Sequence, residues 1–582
     1  METATTTLLA MAEHHRILVL VAAAGGAVLW LLATRSTTKK YSRIIKLTRV
    51  DEDEDQEPDD PSVLALPHPP LAPGAYPILG HLPAMAQHKS DPTVLMTQLV
   101  KSTGPIYMLQ LGAARAVVIS DAAIAREALR HRSLASRMLT PLWHDLTEGG
   151  RDLALAPFGA HWQRIRRAAH KVLGSAPTLE NDPILHREAD RFMSYLLNKS
   201  GTTTFDLLPL LQRYTANVIF AKGLGVAFES LDDPELSEIL VLVRDMFAAV
   251  AVGDPTEYLS ASVAENPFVK PVFNWLVRDS MAAMKRMGDR FHNGFVKNQV
   301  DLAVRRATTA SKTDVVVASA TENADTGATP YVDTLVRAHL AGDADALDLQ
   351  QIKLLLSDML VAGLDTTAGS LMWIAVYLVN HPAIQASARA EIASHIAATG
   401  VSPSHLTLAD MSALPMVRAI VKETLRIQPV AQLGLPRMAG KAAEIRGYCI
   451  PRGAQIIINV QETHASMWAS ASDAATFRPD RWLSTSAPAD NDVDKVAGEG
   501  SLEVPGSLLA FGAGRRICPG MPLAVREMTL VTARLLAAGT LAAPPGVTRI
   551  DPRPVFGLTC VPVGGTLVRF VPSPVVVSSS SQ

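Results

Sequence analysis

A mainly α-helical body carrying small β-sheets (an α+β fold) is the class this sequence predicts, and three observations predict it. Residues 180–300 alternate apolar and polar side chains at helical spacing with few glycines, which gives several long helices. Two further apolar runs, Leu349 to Asn380 and Met521 to Ala538, keep the same period. Strand patterns are short. Ile106-Tyr-Met-Leu-Gln-Leu111 and Ala116-Val-Val-Ile-Ser120 flank a Gly-Ala-Ala-Arg turn, and a helical Ala-rich stretch follows Asp121. Gly447-Tyr-Cys-Ile-Pro-Arg-Gly453 reads as strand, turn and strand, which makes Cys449 a small strand residue.

With 582 residues, 48% of them apolar, and a net charge of -2, the chain can bury a large core. Neither the charge nor any basic and aromatic stretch supports nucleic-acid binding. The cysteines are Cys449, Cys518 and Cys560. That is no disulfide framework and no zinc pattern, so the body belongs in a reducing compartment.

The N-terminus carries a membrane signal. Ile17 to Ala33 is free of charge and is followed by Arg35, Lys39, Lys40, Arg43, Lys46 and Arg49. Basic residues stay cytosolic, which predicts a lumenal segment 1–16, a transmembrane anchor 17–34 and a body facing the cytosol. A cleaved signal peptide would have a shorter apolar run with the basic residues ahead of it. Residues 35–66 read as a flexible tether, basic and then acidic, ending in Asp51-Glu-Asp-Glu-Asp-Gln-Glu-Pro-Asp-Asp60 and a short connection. A proline-rich segment from Pro67 to Gly80 then opens the globular body. Within it, 307–330 and 484–501 read as polar surface insertions, and 572–582 as a disordered tail.

Cys518 stands in Phe511-Gly-Ala-Gly-Arg-Arg-Ile-Cys-Pro-Gly520, just ahead of a helical run. A thiolate stays ionised beside cations or aligned backbone N–H groups, and this stretch supplies both. Gly514 and Gly520 allow a tight turn and close approach to a flat ligand, while Phe511 can shield the sulfur from water. The pattern suits a thiolate metal ligand. Two plainer readings are a free cysteine in a turn and a phosphate loop, the latter lacking the Lys-Ser/Thr ending such loops need.

A second informative stretch interrupts the apolar run 349–380. In Ala362-Gly-Leu-Asp-Thr-Thr367 a glycine and a carboxylate sit inside a core-like helix, both costly unless a ligand needs the space or the proton. Thr366 can bond the carbonyl one turn back and open the helix, and Asp365 can relay protons from solvent. The alternative is a helix bend with a satisfied buried threonine. Trp162 and Arg166 are four apart and share a helix face, while Arg164, Arg167 and Lys171 offer either a basic patch for an acidic electron donor or an ordinary solvated face. Glu423 and Arg426 are an i, i+3 pair in a helix from Leu414 to Ile427, a kind of pair that contributes little at a surface.

Four separated stretches, Ala362–Thr367, Glu423-Thr-Leu-Arg426, Phe477-Arg-Pro-Asp-Arg-Trp482 and Phe511–Gly520, occur in the order found in the cytochrome P-450 family, which this chain resembles from about Pro67 to Val571. The likeness is to the eukaryotic microsomal kind. It implies a cytochrome P-450 fold for a catalytic domain over 67–571, preceded by one N-terminal transmembrane helix. It also implies that Cys518 is the metal ligand, bound to the iron of haem b, with Phe511, Gly514, Arg516 and Gly520 around the cofactor. Trp162, Arg166 and Arg437 are the residues it places at the propionates. Glu423, Arg426 and Arg481 become a buried triad supporting the haem loop, although Asp480 and Trp482 depart from the commonest form. Thr366 and Asp365 become the catalytic pair of an oxygen-activating groove.

The implied function is a monooxygenase that inserts one atom of O2 into a lipophilic or aromatic small molecule, in the manner of secondary metabolism. Electrons come from NADPH through a flavoprotein reductase, with cytochrome b5 as a further candidate partner. The implied location is the endoplasmic reticulum membrane. Expected pocket walls are 136–160, 357–362, 430–434 and 554–558, mostly apolar. Short stretches are similar to fungal aryl-acid hydroxylases of the phenylacetate type, and for such an acid Arg137 is the expected carboxylate partner. Two other classes remain open: a reductase-independent haem-thiolate isomerase, dehydratase or peroxygenase, and a non-catalytic membrane-tethered helical protein.

Overall fold

The computed structural model describes residues 58–573, apart from 78, 89–90, 140, 174–181, 200–202, 252–269, 311–328, 469 and 484–503. The expected anchor at 17–34, most of the tether, the bulk of both surface insertions and nearly all of the tail lie outside the described residues. Two expected boundaries shift. The helix Lys297–Ala310 carries regular structure into the start of the predicted 307–330 insertion. The end of the predicted tether is also structured, because Asp60 caps the short helix Pro61–Leu64 and Asp59 accepts from the Ala442 amide at 2.8 Å.

The elements that place the site are few. Strands β1 (Ile106–Leu111) and β2 (Ala114–Ile119) form a hairpin, followed by helix α1 (Ala122–Arg130) capped by Asp121. Helices α2 (Ala160–Leu173), α3 (Leu208–Leu224), α4 (Leu349–Asn380) and α5 (Pro415–Ile427) come next. They are followed by β3 (Arg437–Met438), β4 (Gln455–Ile458) and helix α6 (Met521–Ala538). The sheet runs β1-β2-β4-β3, with β2 and β4 parallel and in register from Ala116 with Gln455 to Ile119 with Ile458. The expected strand-turn-strand at 447–453 is resolved into two different sheets: Tyr448–Ile450 pairs with Ala443–Ile445, whereas β4 joins the larger sheet. Cys449 is buried in its strand as expected.

Helix α4 is the axis of the core. Its start is fixed by a reciprocal capping box, Gln351 N–H to Asp348 Oδ1 at 2.8 Å and Asp348 N–H to Gln351 Oε1 at 3.1 Å. It is long and apolar enough to cross a membrane by length and composition, yet 78% of its most apolar window is buried inside the protein. Trp373 is wholly buried there and donates to the Cys560 carbonyl at 2.9 Å.

Helix α3 packs closely on α4 because glycines lie where the two meet. A Cβ at Gly363 would sit 3.0 Å from Ile219 Cγ1, and one at Gly223 would sit 3.3 Å from Leu360. The space at the motif glycine is therefore filled by a neighbouring helix.

The irregular stretch before α2 contains a short helix, Pro141–Leu146, and is then tied along α4. Glu148, at φ 52°, receives Lys353 Nζ at 2.7 Å, Arg151 pairs with Asp348, and Asp358 Oδ2 accepts from the amides of Leu153 and Ala154 at 2.8 and 3.0 Å. A non-glycine residue at positive φ is strained, and here two side-chain partners hold it, since Gln350 also donates to Glu148.

Candidate active site

The loop before α6 folds around its cysteine. The Cys518 amide donates to the Phe511 carbonyl at 2.9 Å, which closes the loop on itself. Gly514 has φ +65°, and a Cβ there would lie 2.2 Å from the Leu129 carbonyl, so only glycine fits against α1. Burial pushes the Cys518 thiol above its ordinary range, but the backbone N–H groups of Gly520 and Met521 and the Arg166 guanidinium act in the opposite sense. A Cβ at Gly520 would stand 3.8 Å from the sulfur, an ordinary contact. The surroundings thus offer donors and a cation to a sulfur anion, which is the donor set a metal thiolate needs.

Four arginines gather at this loop, Arg516 from within it and three from elsewhere in the chain. Arg437 donates to the carbonyls of Leu129 and Ala513, both at 2.6 Å. Arg516 donates to Ala135 at 2.9 Å, to Leu153 at 3.3 Å and to Ala156. Arg137 donates to Pro436 at 2.8 Å, to Ala154 at 3.2 Å and to Leu435. Arg166 reaches the Ile517 carbonyl and His170.

Burial lowers all four guanidinium groups, and repulsion from neighbouring arginines adds to it at Arg437, lowered to about 9, and Arg516, lowered to about 8. Arg137, lowered to about 10 by burial, is partly supported by Asp152. Asp152 is the one carboxylate among their resolved electrostatic neighbours that also faces Arg516. It is itself held up to about 6 by burial, and its Oδ1 has no partner among the described residues. Buried like charges with neutral carbonyl partners suit a bound dianion, which would relieve their repulsion. Together, the cysteine cradle and this cluster fit a flat cofactor with two carboxylates.

Trp162 is buried beneath the cluster. Its indole N–H is committed to the Leu153 carbonyl at 3.0 Å, and its ring supports Arg516 at 4.1 Å and Arg166 at 6.0 Å. It contributes a stacking surface, with no free donor. Arg137, the expected partner of an acid substrate, stands in the guanidinium cluster, where its Nε and Nη1 donate to backbone carbonyls. Of the basic trio on α2, Arg164 lines a polar depression with His161 and His339, while Arg167, paired with Asp345 at 2.9 Å, and Lys171 are both exposed.

Helix α4 stays continuous through its motif. Ala362 is exposed in the middle of an otherwise largely buried helix. Thr366 Oγ1 donates to the Ala362 carbonyl at 2.6 Å, and Thr215 of α3 donates to the Leu364 carbonyl at 2.6 Å. Two carbonyls are thereby drawn on by side chains. Asp365 accepts from Gln212 at 3.1 Å and from Thr559.

The triad forms as a closed network. Glu423 receives Arg426 Nε at 2.8 Å and Nη2 at 2.9 Å, Arg481 Nε at 3.0 Å and Trp482 Nε1 at 2.9 Å. Trp482, which departs from the commonest pattern, thus supplies an additional donor. All three triad side chains are buried.

His464 carries this network to the cysteine loop. Its Nε2 accepts from the Leu509 amide at 2.8 Å, so its Nδ1 carries the proton and donates to the Arg426 carbonyl at 2.9 Å. Sequence reading missed His464. Its one signal is a histidine just after β4, in a segment otherwise ordinary for a short helix.

A helical body, a donor-cradled cysteine and a buried guanidinium cluster together have the chemistry that would suit a flat dianionic cofactor. The chain belongs to the cytochrome P450 family, which it matches over residues 69–567, and it is an oxidoreductase of that family. It is 28% identical over 506 residues to a flavonoid 3'-monooxygenase of Arabidopsis thaliana, covering 84% of this chain and 89% of that one. An ent-isokaurene C2/C3-hydroxylase of Oryza sativa subsp. japonica is 27% identical over 479 residues, covering 80% and 85%. A zebra fish cytochrome P450 solved with progesterone superposes with a TM-score of 0.65 at 23% identity, covering 83% of this chain and 99% of that one, which supports the shared fold.

Proposed function

We propose that the protein is a haem-thiolate monooxygenase that oxidises a lipophilic or aromatic small molecule. The observation that carries this reading is the pairing of the Cys518 cradle with the cluster of Arg137, Arg166, Arg437 and Arg516. Haem, when bound, supplies the redox centre at which O2 is reduced, one atom passing to substrate and the other leaving as water. Cys518 is its ligand in this reading, and the four arginines hold its propionates. His464 and the Glu423 triad keep the loop in place, so that the sulfur is presented at a fixed point.

Thr366 and Asp365 handle protons. Thr366 offers a hydroxyl beside the exposed Ala362 of α4, and Asp365, next to it in the chain and held by Gln212 and Thr559, is the carboxylate that passes protons toward it. Met359, one turn ahead of Ala362 on the face of α4 that Thr366 shares, adds an apolar side chain that excludes water beside the substrate. The names of the relatives, a flavonoid 3'-monooxygenase and an ent-isokaurene C2/C3-hydroxylase, favour a bulky ring system over a small acid. An anchor at 17–34 holds the body at the cytosolic face of the endoplasmic reticulum, where a flavoprotein reductase passes it electrons from NADPH.

The test is the reduced, carbon-monoxide-bound absorption spectrum of purified protein beside Cys518→Ala. A Soret band near ~450 nm in the parent and its loss in the variant is the expected result. Well-folded parent protein that takes up no haem would sink the reading.

A further inference from the structure

Asp365 is gripped from two elements far away in sequence. Gln212 of α3 donates to its Oδ1 at 3.1 Å, and the hydroxyl of Thr559 donates to its Oδ2. With both oxygens engaged, the carboxylate has one orientation. Thr559 is itself fixed. A Cβ at Gly557 would lie 2.7 Å from the Thr559 carbonyl, so the turn is tight, and the next residue is anchored on both sides of its backbone. The Cys560 amide donates to the Val430 carbonyl at 2.9 Å, and its carbonyl receives Trp373 at 2.9 Å. The turn that carries Thr559 joins the paired strands Pro554–Val555 and Val561–Pro562, the first of which lies in the expected substrate wall.

We propose that Thr559 and Gln212 are positioning residues for proton delivery: together they aim the Asp365 carboxylate, and Thr559 makes that aim depend on the hairpin that borders the substrate. This rests on the monooxygenase reading above. The role is one of orientation. The hydroxyl supplies a hydrogen bond that only a carboxylate pointing its way can accept, while Gln212 fixes the other oxygen. When protons arrive late or misdirected, reduced oxygen escapes as hydrogen peroxide: one O2, two electrons from the reductase and two protons leave as one H2O2, and substrate is untouched.

The experiment compares haem-loaded wild type, Thr559→Val, Thr559→Ser and Asp365→Asn. It uses the carbon-monoxide spectrum, the dissociation constant from the substrate-induced Soret shift, the peroxide yield per NADPH, and crystal structures of the parent and the valine variant. Thr559→Val is expected to keep its spectrum and substrate affinity, to raise peroxide yield about threefold or more, and to show the Asp365 carboxylate turned away from its parent position. Thr559→Ser should restore both.

An unmoved carboxylate, or parental peroxide yield in Thr559→Val while Asp365→Asn leaks, overturns the positioning role and leaves the monooxygenase intact. Parental peroxide yield in both Thr559→Val and Asp365→Asn overturns it as well. A parent without the ~450 nm band sinks the underlying reading instead.

Discussion

At the scale of single residues, the least replaceable side chain outside the cysteine is His464. It needs a donor and an acceptor at opposite ends of one rigid ring, and it is wholly buried. Burial holds its imidazole down to about 4. Because the folded value lies below the unfolded one, the unfolded chain binds the extra proton first. Its contribution is present above pH ~6.5 and is lost as pH falls toward ~4, amounting to about 3 kcal/mol across that window.

Asp152, raised to about 6, acts with the opposite sign in part of the same range, so wild type alone does not isolate the effect. Denaturant unfolding of wild type and His464→Gln between pH 7 and about 4.5 is the measurement. The expected outcome is a shallower acid slope in the variant, and equal slopes would count against this role for the imidazole. The same scale shows why the hydrogen bonds of Arg137 were not legible in the sequence. A lone arginine in an irregular stretch carries no mark of its carbonyl partners Leu435 and Pro436, which lie almost 300 positions later.

Elements were more legible than residues. The 3.6-residue period located α4, α5 and α6, and Ile106–Leu111 was recognisable from its strand pattern, since local pattern alone decides these. Partner choice was not legible: β4 follows the Pro451-Arg-Gly453 turn but pairs with β2, more than 300 residues upstream. Gly363 shows the same limit. Its motif suggests room for a ligand, whereas the contact is with Ile219 of α3.

Replacing Gly363 by Ala gains up to about 1 kcal/mol of helix propensity, but it forces a methyl to 3.0 Å from a buried, branched side chain. Overpacking should win, with a net loss of about 1–2 kcal/mol by equilibrium unfolding. Ile219→Ala in the same chain should remove most of that coupling in a double-mutant cycle. Additive losses would place the clash elsewhere.

Across the whole molecule, the four motifs are spread from Ala362 to Gly520, yet the chain brings their work together through a small number of polar links. The triad reaches the cysteine loop through His464, α1 reaches it through the Leu129 carbonyl and Arg437, and the loop before α2 reaches it through Arg516. The family was readable in the sequence because the motifs themselves are local. The links were not, because each joins residues whose distance along the chain leaves no periodic trace.

One of these arrangements gives the protein an unusual mechanical profile. Helices ordinarily fray from their ends, but α4 has a locked capping box at its start and a buried second half. Its carbonyls at Ala362 and Leu364 are shared with hydroxyls from Thr366 and Thr215. In hydrogen-exchange terms this long core helix is softest at its centre: the amides of Thr366 and Ala368 should exchange ahead of those a turn or two to either side. The protein would then breathe from the inside outward, at the place where its chemistry is proposed to occur.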